Sequence, residues 1–63
     1  MVNWKELVGK RILFRKIHDS KIIEGKVVKV SPSGKYVNIT YGLFNLYNEW
    51  YSVNDIILLE VID

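Results

Sequence analysis

Ser31-Pro32-Ser33-Gly34 stands between two β-branched segments, and this tetrapeptide constrains the chain more than any other feature. Proline supplies the φ of about −65° wanted at the second place of a type I turn, and glycine suits the fourth. The flanking segments are therefore antiparallel partners. After the turn, residues 36–41 alternate, with Val37, Ile39 and Tyr41 expected inward and Tyr36, Asn38 and Thr40 outward. Before it, residues 22–30 form a long run whose alternation slips, since Ile23 and Val27 share one parity while Val28 and Val30 take the other. Gly25 or the Val27/Val28 pair marks a bend or bulge, as a tightly coiled sheet requires.

The same alternation predicts three more strands. In residues 10–16, Ile12 and Phe14 fall on one face, and Arg11 and Arg15 on the other with Leu13 between them. His18, Asp19, Ser20 and Lys21 then make a polar turn. Residues 49–52 read as a fourth strand, Ser52 to Asp55 as a single capped helical turn, and residues 56–62 as the last strand. The inside is assigned to Ile12, Phe14, Val28, Val37, Ile39, Ile57 and Leu59. At the start of the chain Asn3 and Glu6 have capping-box spacing, Trp4, Leu7 and Val8 share a helical face, and Gly9 stops the turn. Residues 42–48 stay open: Leu43, Phe44, Leu46 and Tyr47 either extend the hairpin or form a turn of helix.

Sixty-three residues without a cysteine make one domain, residues 1–63, held by packing alone. So short a chain buries only ~60% of its unfolded surface, which leaves little core to hollow into a catalytic or cofactor pocket. His18 beside Asp19 has no accompanying nucleophile, one histidine and scattered carboxylates make no metal site, and the four glycines are too dispersed for a phosphate loop. A non-enzymatic protein without metal, cofactor or small-molecule substrate is expected. No apolar run approaches the roughly 18 residues of a membrane span, and residues 1–9 lack the apolar stretch of a signal peptide. The expected location is the cytoplasm, so the glycosylation sequon Asn38-Ile39-Thr40 is set aside.

Five short strands, a tight Pro-Gly hairpin and a one-turn helix before the last strand predict a closed or nearly closed small barrel, because closure protects sheet edges. The segments GKRILFRK, IIEGKVVKVSPSGKYVNITY and EWYSVNDIILLEV, within residues 9–62, resemble the SH3-like barrels of the Tudor and KOW kind. That resemblance implies an all-β fold and a module that binds nucleic acid, methylated or proline-rich peptides, or other proteins. A methyl-lysine cage is not expected, since residues 17–21 offer only His18 and the surroundings are basic.

All nine Lys and Arg residues lie between Lys5 and Lys35. Against Glu6, Asp19 and Glu24 they leave residues 1–35 at +6, whereas Glu49, Asp55, Glu60 and Asp63 leave residues 36–63 at −4. Polyanions respond to such local fields more than to net charge. Lys10, Arg11, Arg15, Lys16, Lys21, Lys26, Lys29 and Lys35 form the candidate nucleic-acid surface, with Tyr36 placed to stack on a base. A second set is aromatic: Tyr41, Phe44, Tyr47, Trp50 and Tyr51 put five of eight aromatics within eleven residues. A barrel of this size has no room for all of them. Leu43, Phe44, Leu46, Tyr47, Trp50 and Tyr51 are accordingly the candidate contact surface for a protein partner or a second copy, with at least two of Leu43, Phe44, Leu46 and Tyr47 exposed.

Overall fold

The computed structural model describes residues 2–62, and Met1 and Asp63 lie outside it. The Ser31 turn forms as its residues require: the Gly34 N–H donates to the Ser31 carbonyl at 2.9 Å, and Gly34 takes φ +77°. Ser31 fastens the turn twice more, its amide donating to the Tyr36 carbonyl at 2.9 Å and its hydroxyl accepting from the Tyr36 amide at 3.1 Å. This hairpin joins β2 (Ile23–Val30) to β3 (Tyr36–Tyr41). With β1 (Arg11–Lys16), β4 (Tyr47–Ser52) and β5 (Ile56–Val61) they make one antiparallel sheet ordered β4-β3-β2-β1-β5. The sheet is open, with β4 and β5 at its edges, so strand pairing does not supply the closure expected of a barrel.

Two irregularities coil this sheet. The β2–β3 register shifts between Val27 and Lys29, at the anticipated Val27/Val28 pair, and the β1–β5 register shifts between Leu13 and Phe14. The first shift turns Val27 wholly inside and leaves Val28 37% exposed, contrary to the core assignment of Val28. Gly25 serves closeness rather than bending. A Cβ there would stand 2.6 Å from Ile39 Cγ2 and 2.7 Å from the Thr40 carbonyl oxygen, so only glycine lets β2 and β3 approach.

Ile12, Phe14, Val27, Val37 and Ile39 are sealed from solvent, and Trp4, Tyr51 and Ile56 close around them. The phase of β5 differs from expectation: Ile56 is buried and Leu58 packs on the core, while Ile57 is half-buried and Leu59 exposed. Four successive apolar residues carry no parity of their own. The pairing of Phe14 with Leu58 and Lys16 with Ile56 settles it.

The two helical turns are short. Trp4–Leu7 is a 3-10 turn that lays Trp4 on the core, and the Gly9 amide then donates to the Val27 carbonyl at 2.7 Å. No capping box forms there, because the Asn3 amide group donates to the Glu6 carboxylate at 3.1 Å instead of capping the backbone. The segment before β5 is a plain turn, closed by Asp55 N–H to the Ser52 carbonyl at 2.9 Å, not the helical turn expected. The second 3-10 turn is Leu43–Asn45, entered through Gly42 at φ +85°. It answers the open reading of residues 42–48, and β4 begins at Tyr47, two residues before the expected start. No helix among the described residues is long and apolar enough to cross a membrane.

Candidate functional site

Strand pairing sorts the basic residues. Arg11 lies directly opposite Lys26, which lies opposite Thr40, which lies opposite Asn48, so these four share one row across the sheet. In the next row Lys29 faces Asn38, and Asn38 faces Trp50. Directly opposed residues of an antiparallel pair point to the same face. Both rows therefore lie on the face turned away from Ile12, Val27 and Ile39, and Tyr36 joins them by its parity with Asn38. Lys26, Lys29, Tyr36 and Trp50 are exposed on it, with Lys35 at the hairpin end.

Other members of the basic set do not join this face. Lys16 has the parity of Ile12 and Phe14, and its ammonium stands over the Tyr51 ring, 5.9 Å from the centroid. Arg15 is turned back on the chain, with Nη1 donating to the carbonyls of Lys16, Ile17 and Asp19 at 3.3, 3.3 and 3.4 Å. Its guanidinium caps the β1–β2 turn. Lys21 is held in that turn, its amide donating to Asp19 Oδ1 at 3.0 Å, and Lys10 lies in the link before β1. The expected continuous patch thus contracts to Arg11, Lys26, Lys29 and Lys35. Arg11 also pairs with the Glu24 carboxylate, an exposed ion pair that contributes little to stability and still leaves a cation at the surface.

Asn38 was expected outward and has outward parity, yet it is only 3% exposed. Its amide exchanges two 2.8 Å hydrogen bonds with that of Asn48, one in each direction. That pairing satisfies a buried polar group and helps lengthen β4 toward its start. Trp50, grouped above with the apolar hairpin as a contact residue, is exposed and stands opposite Asn38 on the face of Lys29. With Tyr41 paired to Tyr47, counting back along β3 and forward along β4 sets Trp50 opposite outward Asn38.

The apolar segment forms a tip beyond the sheet. Leu43, Phe44, Leu46 and Tyr47 are all exposed, Phe44 to 84%, which meets the expectation of at least two. Phe44 at φ 58°, ψ 23° and Asn45 at φ 54° occupy the left-handed region, where a non-glycine residue is strained. Tyr47 is braced by stacking on Tyr41, with ring centroids 5.4 Å apart and planes at 23°. Tyr51 leaves the expected contact set: it is buried, with its ring edge-on to Phe14 at 5.5 Å.

Two phenols at this end are held protonated. The Tyr41 hydroxyl donates to the Glu49 carboxylate, and that bond raises its pKa above the ordinary value. Burial pushes the Tyr51 phenol up further, with the Glu49 charge adding to the rise, and its hydroxyl has no hydrogen-bond partner among the described residues. Among the described residues no three His, Cys, Asp or Glu side chains converge as metal ligands. Comparison of the chain with family models, with curated proteins and with solved structures returns no match.

Proposed function

We propose that the chain is a non-enzymatic binding module, an SH3-like barrel in type, that takes a nucleic-acid backbone on the outer face of β1, β2 and β3. The observation that carries this reading is the register, which sets Arg11 beside Lys26 and puts Lys29 in the adjoining row of the same face. Phosphates reward such alignment, because each one neutralised releases condensed counterions. Little sequence preference goes with it. The amides of Asn38 and Asn48 are spent on each other, and no helix among the described residues is placed to enter a groove. The barrel assignment draws its support from β1, which pairs with both β2 and β5, and from the two register shifts that coil the sheet.

Titration of a labelled duplex at rising salt tests the reading. Neutralising about four phosphates gives a log-log slope of about −3 to −4, and Lys26→Glu with Lys29→Glu should abolish measurable binding. Absence of binding by the native chain at ~50 mM salt and micromolar protein overturns it.

A second reading belongs to the tip. Leu43, Phe44 and Leu46 stand 73–84% exposed, and a partner protein or second copy that covers them gains about 25 cal/mol per Å². Sedimentation over a concentration series, with Phe44→Ser and Tyr47→Ser together, tests self-association. Salt separates the two readings, since screening weakens phosphate binding steeply and apolar burial little.

A further inference from the structure

We infer that the basic face prefers single-stranded nucleic acid, and that Trp50 is the residue that makes the preference by stacking on an unpaired base. This rests on the nucleic-acid reading above and adds a ligand class to it. Trp50 is 53% exposed and Tyr36 52%, although indole and phenol rings are the side chains a small domain most readily uses for burial. Both lie on the cationic face. Trp50 shares its row with Lys29 through Asn38, and Tyr36 is opposite Ser52, so the two rings occupy diagonal positions on neighbouring strands. Diagonal neighbours are about 7–8 Å apart, a step that suits successive bases splayed from one strand and not the closed stack of a duplex.

The surroundings of Trp50 favour the same ligand. Lys29 stands in the row of Trp50 and Lys26 in the adjoining row, placed to hold phosphates, while the Asn38–Asn48 amide pair offers no free base-reading group. Every base has a π face, so stacking tolerates any sequence. In a duplex those faces are covered by neighbouring pairs, and only the phosphates remain for Lys26, Lys29 and Arg11 to hold.

The test compares a short oligothymidylate with a duplex hairpin of equal phosphate number, read by labelled-probe anisotropy and by tryptophan emission. Trp4 is buried at 7% exposure, so emission quenched by the probe reports Trp50. The expected result is tighter binding of oligothymidylate with quenching, and about a tenfold loss for Trp50→Ala on oligothymidylate with no loss on the duplex. Trp50→Phe should retain most of the affinity. Equal binding of both probes, or saturation by oligothymidylate without quenching, overturns the stacking role while leaving phosphate binding in place. Binding of neither probe overturns both readings. Quenching is measured on the native chain, so the test stands even if Trp50→Ala folds poorly.

Discussion

The cationic face and the apolar tip are both exposed, yet exposure means different things in the two regions. Lys26 and Lys29 lose nothing by standing in water, where an ammonium is best solvated, so only their alignment with Arg11 points to a ligand. Leu43, Phe44 and Leu46 forgo burial worth about 25 cal/mol per Å². Phe44 adds a left-handed backbone, which costs a non-glycine residue roughly 1–2 kcal/mol. Register is the informative quantity on the face, and exposure is the informative quantity at the tip.

The largest stability effect separating these regions is expected at Gly42, where the tip meets the sheet. A Cβ there would stand 2.6 Å from Cδ2 of Tyr47 at φ +85°, so Gly42→Ala both strains the backbone and drives Tyr47 off Tyr41. The expected loss is about 2–3 kcal/mol. An unchanged denaturation midpoint would show that the tip is uncoupled from the hairpin it caps.

Gly34 is the control on the other hairpin. It holds φ +77° but has open space where a Cβ would go, so Gly34→Val should cost only the backbone strain, about 1–2 kcal/mol by chemical denaturation. Equal losses at the two glycines would mean that the Tyr47 contact contributes nothing.

Phe44→Gly should sharpen the contrast by moving stability and binding in opposite directions. Glycine accepts φ 58° without strain and Phe44 is 84% exposed, so stability should rise by about 1 kcal/mol while self-association or partner capture weakens. A fall in Tm would assign Phe44 a packing role instead.

Tyr51→Phe has the smallest expected effect and probes the buried side of β4. Removing a buried hydroxyl that lacks a partner should stabilise by about 1 kcal/mol or less at neutral pH. The phenol is pushed up in the folded chain, so its contribution is complete below the unfolded pKa of about 10 and is lost as pH rises above that toward the folded value. Tyr51→Phe should remove this share of the alkaline decline and leave the share due to Tyr41, whose hydroxyl donates to the Glu49 carboxylate. Parallel alkaline melts for the two proteins would refute the assignment.

Much of the fold was legible because it rests on local rules. The Ser31–Gly34 turn, the bounds of β3, the slip at Val27/Val28 and the crowding of the apolar segment all follow from side-chain chemistry within a few residues. Charge placement was legible too, but its grouping was not: Arg15 and Lys16 are adjacent to the face in sequence and are drawn elsewhere by carbonyls and by the Tyr51 ring. Trp50 and Tyr51 are neighbours with opposite fates, and nothing local distinguishes two consecutive aromatics.

The sequence by itself determined an all-β chain, the hairpin at Gly34 and a cationic half, because turn geometry, β-branching and charge act over short distances. The tertiary structure alone decided which of Ile56 and Ile57 lies inside, which of Trp50 and Tyr51 meets solvent, and which cations share a face. Side chains alternate with period two along a strand, so one register choice between strands assigns every residue to a face. In a run of apolar or aromatic residues, only the partner strand makes that choice.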